Sequence, residues 1–468
     1  MSDLPTGSTP VTGGLPADDD PSDELRLGRA RSRRLASGIA TSVVSRGLAA
    51  AAPLLLIPIT LDYLGGQVYG LWMVLASLTG MALWADLGLG NGLLTKLAPC
   101  YANGDWQTAR RYVSTAYAAL VLASGVLIGV LWSCSQLIPW QAMVNTDDPN
   151  LVAAARTISL GCFSAFLINV PLSLIQRVQY GYQAVARNNM WQAGGSLLSV
   201  GLAAGAVCLT LSPAVVVTAA AAGPIIANIA NSVTAYTTTL ARLAPRLGSI
   251  DWTVLAALFR LGGGFFALSI VTAAALNSDS LIIAHALDLQ AVTEYSVPAR
   301  LFGALGLVVT LVNLPLWPAS GDALARGDRM WVRRTTARLT AISAAAVLLA
   351  ATALVVLAGP VLTIWAGDAI DPAPLLLVGL GVWWLLLAVT SPRFMVQNAA
   401  GIIRPQFVGW CLFLLVSVPA KWFAAKVFGI SGVACAGAIC YLLLVMPAAG
   451  LGYRKALLRA RVPDQSDR

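Results

Sequence analysis

Residues 69–111 read YGLWMVLASLTGMALWADLGLGNGLLTKLAPCYANGDWQTARR, and this stretch decides the fold class. Tyr69 begins an apolar run long enough to cross a bilayer, which requires roughly 20 mostly apolar residues. The run ends on Asp86 and a glycine-rich segment, and the polar loop that follows carries Arg110 and Arg111. The stretch therefore predicts a transmembrane helix that leads into a basic loop.

The composition of the whole chain is that of a polytopic membrane protein. Of the 468 residues, 57% are apolar and only 11% are charged, whereas soluble domains carry about 25% charged residues. The net charge is +9, but the basic residues lie in short loops, so we expect no nucleic-acid partner. Seven scattered cysteines and a single histidine predict neither a disulfide framework nor a metal site.

Apolar runs of spanning length predict twelve transmembrane helices in an all-α bundle embedded in the lipid bilayer. They lie near 37–61, 70–95, 112–137, 151–175, 188–211, 213–236, 255–280, 292–318, 335–358, 372–392, 404–426 and 430–453. The loops on one side carry nearly all the arginines and lysines, so we expect both termini to face the cytoplasm.

Matching motifs in the two halves of the chain predict an internal duplication. The pairs are Tyr69 and Trp72 with Glu294 and Tyr295, residues 102–105 (ANGD) with 325–328 (ARGD), and Arg187 with Arg404, at offsets of 226, 223 and 217 residues. Six spans in each half give a parallel repeat about an axis along the membrane normal. We expect a disordered cytoplasmic tail at 1–34, six-helix bundles at 35–248 and 249–455, and a basic cytoplasmic tail at 456–468.

These motifs, with DLGLGNG at 86–92 and NAAGIIRPQF at 398–407, resemble the polysaccharide-transport (Wzx-type) flippases. Those proteins belong to the multidrug/oligosaccharidyl-lipid/polysaccharide (MOP) exporter superfamily. The resemblance implies two pseudo-symmetric bundles around a central cavity in the bacterial cytoplasmic membrane. It also implies a lipid-linked oligosaccharide as substrate, carried on undecaprenyl pyrophosphate to the periplasmic leaflet for O-antigen, capsule or exopolysaccharide synthesis. A polysaccharide polymerase and chain-length machinery are the protein partners that it implies.

Five charged residues within predicted spans stand out, because a charge there is costly unless it faces a cavity. Arg46, Arg260 and Arg300 come from both halves, and planar guanidinium groups suit the oxygens of a pyrophosphate. We predict that these arginines bind the substrate headgroup. Asp86 and Asp279 are predicted to pair with the arginines or to bind a coupling cation, H⁺ or Na⁺, unless the membrane potential drives transport. An ordinary internal ion pair or a snorkelling side chain is the alternative for each.

Two other functions are weighed against transport of a glycan. A multidrug/cation antiporter of the same superfamily favours acidic residues in the amino-terminal half, where Asp86 stands alone within a span. A membrane polymerase or ligase usually has a large outer loop with arginine or histidine, and the loops at 137–150 and 359–371 contain neither. We therefore expect a transporter rather than an enzyme, without a bound cofactor.

Two further basic residues, both lysines, lie close to the outer end of the eleventh span. Lys421 and Lys426 follow a long apolar run and precede the next one. Basic side chains at such positions commonly extend to the membrane surface. We expect both lysines to anchor the helix there.

Overall fold

The computed structural model describes residues 21–81, 89–145, 148–260, 263–313, 316–366 and 373–459. Within these ranges the regular secondary structure is helical, without a strand. Eight helices of the described residues are long and apolar enough to cross a membrane, and the bent pair Phe266–Asn277 and Asp279–Ala286 makes a ninth. The chain is therefore an all-α polytopic membrane protein.

Two long helices break at a glycine, and each break separates two spans. The helix Pro21–Met81 breaks at Gly65, where φ is 70°, and the helix Arg404–Cys440 breaks at Gly429, where φ is 61°. Glycine adopts positive φ without the steric penalty that a side chain brings. Dividing these two helices at their breaks, and counting the helix series between Leu289 and Ala325 as one further span, gives twelve spans among the described residues, which we number in chain order.

Each span comprises one helix or a series of shorter helices. Spans 1–6 comprise residues 21–64, residues 66–81 with Leu89–Asn103, Trp106–Ser133, Pro149–Leu172 with Leu174–Gly181, Val185–Cys208, and Pro213–Thr237. Spans 7–9 comprise Leu255–Arg260 with Gly263–Asn277 and Asp279–Ala286, Leu289–Gly303 with Leu305–Asn313 and Leu316–Ala325, and Arg329–Ala366. Spans 10–12 comprise Pro374–Ala399, residues 404–428, and residues 430–440 with Tyr441–Val445 and Met446–Arg459.

Several helices are longer than the apolar runs that predicted them. The first begins at Pro21, so residues 21–34, which we expected to be disordered, are helical. This segment contains five arginines and two leucines, which favour helix, and it extends a helix that is already nucleated by the membrane span. Residues 1–20 and 460–468 lie outside the described residues, and the predicted boundary at 248 falls in the connection between spans 6 and 7.

The loops between spans 2 and 3 and between spans 8 and 9 have the same backbone geometry. Gly104 and Gly327 have φ of 66° and 76°. The next residues, Asp105 and Asp328, each donate a backbone hydrogen bond of 2.9 Å to the carbonyl five residues earlier, which closes the preceding helix. Each aspartate side chain then accepts a bond from the amide three residues later, at 3.0 and 2.9 Å, which caps the next helix. The paired loop motifs therefore fold alike.

A second pair of loops sets the alignment of the remaining spans. The carbonyls of Gln179 and Gln397 each accept a bond from the amide five residues later, at 2.8 and 2.9 Å. Their side chains also reach equivalent partners, Asn231 on span 6 and Ala449 on span 12. Equivalent positions are thus 218 residues apart here (397 minus 179), one more than the offset predicted from the loop arginines, because that alignment was one residue out of register.

Spans 1 and 2 contact spans 7, 8 and 9 across the boundary between the two halves. At the end predicted to be periplasmic, the Thr293 hydroxyl donates a hydrogen bond of 2.6 Å to the carbonyl of Gly66. A Cβ atom on Gly70 would lie 1.9 Å from the carbonyl oxygen of Leu289, so the two helices touch through bare backbone. The halves are therefore closed against each other at this end.

The connection between the halves lies on the start of span 3. The guanidinium of Arg111 is 2.6 Å from the carboxylate of Asp251. The backbone amide of Asp251 donates a hydrogen bond of 2.9 Å to the Thr115 hydroxyl. Hydrogen bonds from the hydroxyl and amide of Thr253, together with Arg111, lower the pKa of Asp251. The end of the connection is thus fixed to the amino-terminal half.

Candidate functional site

A cavity of about 500 Å³ lies between the halves, bounded by spans 2, 7, 8 and 10. The polar and aromatic side chains that matter for its chemistry are Ser77, Asn277, Asp279, Tyr295, Arg300 and Trp383. Only span 2 belongs to the amino-terminal half, so most of the chemistry comes from the carboxy-terminal half. By the predicted topology the cavity lies in the periplasmic half of the membrane.

Asp279 lies at a break in span 7. The helix Gly263–Asn277 ends one residue before Ser278, and the axis bends by 41° before the helix Asp279–Ala286 continues. The carboxylate is in the first turn of that second helix, where the positive end of the helix dipole favours a negative charge. Broken helices are tolerated at membrane depth where they line a cavity, which is the position of Asp279.

Arg300 lies at a corresponding break in span 8. It is in the last turn of the helix Leu289–Gly303, where the negative end of the dipole favours a cation. Its side chain is half-buried and lines the cavity. Among the residues that the structure describes it forms no salt bridge, so its donors can reach an anionic ligand.

The Asp279 carboxylate is paired with Lys421 of span 11 rather than with an arginine. The lysine ammonium nitrogen lies 2.5 Å from Oδ1 of Asp279, and the Tyr295 hydroxyl donates a hydrogen bond of 2.6 Å to Oδ2 of the same carboxylate. The lysine side chain is 2% exposed and the aspartate side chain 23% exposed. The carboxylate can therefore be reached from the cavity, whereas the ammonium group is enclosed.

The expectation that Lys421 anchors its helix at the membrane surface is wrong. Its ammonium group lies 5.3 Å from the ring centre of Phe413 and 5.9 Å from that of Trp383, within cation–π range. A Cβ atom on Gly437 would lie 2.9 Å from the lysine Cε, so this glycine leaves room for the side chain. The lysine faces the bundle because an acidic partner on span 7 neutralises it there. Lys426, by contrast, is exposed and lies over Trp422.

The structure brings two of the five predicted site residues, Asp279 and Arg300, to one cavity. Arg46 and Arg260 lie on the helices of spans 1 and 7, but their side chains are outside the described residues. Asp86 falls in residues 82–88, which are also outside them. The convergence of the three arginines, and the role of Asp86, stay predictions.

Sequence reasoning missed the two partners of Asp279 within this site. Tyr295 was noticed only as part of a repeat motif, and Lys421 only as a surface anchor. A charge count within the carboxy-terminal half could have suggested the pair, because a membrane carboxylate needs a cation and Lys421 is the basic residue within span 11 farthest from its ends.

Comparison with known proteins identifies the family. Residues 68–373 match the family described as "Polysaccharide biosynthesis protein". Over 404 residues the chain is 22% identical to a Yersinia pseudotuberculosis protein named for O-antigen export, which covers 83% of this chain and 89% of that protein.

Solved structures of transporters share the fold. An inward-facing multidrug-resistance MATE transporter superimposes with a TM-score of 0.74 at 13% identity, over 90% of this chain and 98% of its own. The lipid II flippase MurJ, in an inward closed conformation, superimposes with a TM-score of 0.66 at 12% identity, over 90% of this chain and 89% of its own. A MOP superfamily transporter from Pyrococcus furiosus superimposes with a TM-score of 0.60 at 14% identity, over 91% of this chain and 95% of its own. The chain therefore belongs to the polysaccharide biosynthesis protein family.

Proposed function

We propose that the protein flips an undecaprenyl-pyrophosphate-linked oligosaccharide from the cytoplasmic to the periplasmic leaflet of the bacterial inner membrane, for surface polysaccharide synthesis. The observation that carries the proposal is the position of Arg300, which lines the cavity between the halves and forms no salt bridge within the described ranges. A guanidinium group binds two oxygens of a phosphate at once, with charge assistance. A pyrophosphate is thus the ligand that best suits this group.

The Asp279–Lys421 pair supports an anionic substrate. Because Lys421 neutralises the carboxylate, the positive charge of Arg300 is the net charge of the described groups around the cavity. A cavity of about 500 Å³ is within the usual range for small ligands and suits a headgroup rather than a whole lipid. The isoprenoid chain would stay in the bilayer while the headgroup crosses between the halves by alternating access.

The membrane potential is the energy source that this arrangement favours. An anion that leaves a cell with a negative interior moves down the electrical gradient, which is worth roughly 2.3 kcal/mol per charge per 100 mV. Among the described residues that line the cavity, a coupling proton or sodium ion would need the Asp279 carboxylate, and Lys421 already occupies one of its oxygens. We therefore propose potential-driven export without an obligatory cation.

The alternative is a cation antiporter, which the fold shared with MATE transporters favours. A lipophilic cation would have to displace Lys421 from Asp279 and approach Arg300 against charge repulsion. These two costs make a cation the poorer substrate. The experiment that follows separates the two functions.

Deletion of the gene, with the wild-type gene on a plasmid as control, tests the proposed function. The leaflet that holds the accumulated lipid-linked oligosaccharide is read from its accessibility to a glycosidase in right-side-out and inverted membrane vesicles. We expect accumulation in the cytoplasmic leaflet and loss of surface polysaccharide. Unpolymerised units in the periplasmic leaflet would instead indicate a polymerase, and unchanged polysaccharide with increased drug sensitivity would indicate an antiporter.

A further inference from the structure

Four amide side chains form a hydrogen-bonded chain across spans 4, 5 and 6 of the amino-terminal half. The side-chain amide of Gln192 donates a hydrogen bond of 3.2 Å to Gln176. Gln176 in turn donates one of 3.1 Å to Asn228, and Asn228 donates one of 2.9 Å to Asn169. Each amide nitrogen thus donates to the next carbonyl oxygen. Within the described ranges, Oε1 of Gln192 at one end and Nδ2 of Asn169 at the other have no partner.

The chain faces the interior of the protein rather than the lipid. On span 5, Met190 and Leu197 are 67% and 51% exposed and mark the lipid-facing side. Gln192 follows Met190 by two residues, which places it about 200° around the helix, on the opposite side. Gln176 and Gln192 are nevertheless only half-buried. Part of each of these two side chains is therefore accessible to a ligand.

The fold itself does not require these four amides. At the 218-residue offset, Asn169, Gln176, Gln192 and Asn228 correspond to Leu387, Phe394, Trp410 and Met446. The carboxy-terminal half thus builds the same spans with apolar residues at all four positions. Gln179 differs, because its counterpart Gln397 keeps the equivalent contact between spans, as expected of a residue that holds the fold together.

Asn188 adds an unsatisfied amide to the same face. It precedes Gln192 by one helical turn and is fully buried, and in the part of the chain that the structure describes neither polar atom of its side chain has a partner. Its counterpart Gln406 donates 2.9 Å to Asn398. A buried unsatisfied polar group is costly, so a hydrogen bond to a water or a ligand would stabilise this side chain.

The chemistry of the cluster fits neutral sugars. An amide presents a donor and an acceptor side by side, and a hydroxyl group does both, so a row of amides matches neighbouring hydroxyls of a sugar ring. The cluster carries no charge that would bind the pyrophosphate. We propose that Asn169, Gln176 and Gln192, which are half-buried, bind the uncharged sugar residues of the transported glycan, and that the buried Asn188 and Asn228 lie behind them in the same site. This site rests on the proposed function and deepens it, because it assigns the glycan to one half and the pyrophosphate to the other.

Binding measurements on the purified full-length protein test this site with two probes. The first is the lipid-free oligosaccharide released by mild acid from the lipid fraction of the deletion strain. The second is farnesyl pyrophosphate, which has no sugar. The variants are Gln192→Leu and Gln176→Leu, and the matched control is Gln107→Leu, which changes an exposed glutamine in the first turn of span 3.

We expect Gln192→Leu and Gln176→Leu each to weaken oligosaccharide binding about five- to tenfold, as the loss of one or two neutral hydrogen bonds predicts. Farnesyl pyrophosphate should bind all variants as it binds the wild type. Unchanged oligosaccharide affinity in both variants would overturn the inference, as would equal weakening of both probes together with a lower melting temperature. If the wild-type protein binds farnesyl pyrophosphate but not the oligosaccharide, the sugar site is overturned and the proposed function is not. If the wild-type protein binds neither probe, the proposed function is overturned.

Discussion

The ammonium nitrogen of Lys421 lies 2.5 Å from a carboxylate oxygen of Asp279, and this ion pair joins span 11 to the break in span 7. The two partners are not equivalent. The carboxylate also accepts a hydrogen bond from Tyr295 and borders the cavity, so it can be solvated without the lysine. The lysine is enclosed by aromatic rings and cannot. The loss of the carboxylate should therefore harm the protein more than the loss of the ammonium group.

Asp279→Asn is expected to cost about 3–5 kcal/mol of stability, because it leaves a buried cation without its partner. Lys421→Met should cost less, about 1–3 kcal/mol, because the carboxylate keeps its hydrogen bond and its access to the cavity. The double variant should be more stable than Asp279→Asn alone. Thermal unfolding in detergent measures all three, with Lys426→Met, an exposed lysine of the same span, as control. Equal losses in the two single variants, or additive losses in the double variant, would contradict this prediction.

Gly70→Ala should force the halves apart at the end predicted to be periplasmic. The new Cβ atom would lie 1.9 Å from the backbone oxygen of Leu289, and backbone cannot move aside as a flexible side chain can. We expect Ser77→Cys, placed in the cavity wall, to react several-fold faster with a membrane-impermeant maleimide added from outside when Gly70→Ala is also present.

The control for this labelling is Gly201→Ala, since a Cβ atom there meets nothing within 4 Å. The labelling of the Gly70→Ala and Gly201→Ala proteins without Ser77→Cys is measured as well and subtracted, because Cys134 and Cys208 are exposed in the native chain and can react. An unchanged labelling rate with Gly70→Ala would show that the contact between spans 2 and 8 does not hold this end closed.

Asp251→Ala should loosen the connection between the halves and increase tryptic cleavage at Arg246. The pKa of Asp251 is lowered by its bonds from Thr253 and Arg111, so the carboxylate stays ionised at neutral pH. A carboxylate with a lowered pKa stabilises the fold above its unfolded pKa of about 3.9, and this contribution is lost as the pH falls through the folded value.

The difference in melting temperature between wild type and Asp251→Ala is therefore expected to be constant from about pH 8 to 5 and to shrink below about pH 4. Asp322→Ala is the control, because that aspartate forms an exposed pair with Arg326 within one helix. A difference that disappears already near neutral pH would contradict the assigned role of the carboxylate.

The sequence predicted the fold well because the bilayer imposes strong rules. Apolar runs of spanning length and the loop motifs identified twelve spans and their duplication, and the loops at Gly104 and Gly327 have matching backbone geometry. The Asp279–Lys421 pair was beyond such reasoning, because its members are 142 residues apart on different helices. Hydropathy does not tell which helices are neighbours. The amide chain was missed for the same reason, since each glutamine or asparagine alone is unremarkable in a span.

Transport by Arg300→Ala in reconstituted vesicles tests the central claim most directly. Purified protein is placed in liposomes with a fluorescent lipid-linked oligosaccharide, and flipping is followed by quenching of the fluorophore in the outer leaflet. Arg326→Ala is the control, because Arg326 is exposed outside the cavity and pairs with Asp322. We predict flipping by the wild type and by Arg326→Ala, a rate at least tenfold lower for Arg300→Ala, and partial recovery in Arg300→Lys, which keeps the charge without the planar fork. A wild-type rate for Arg300→Ala would contradict the claim that this arginine binds the pyrophosphate during transport.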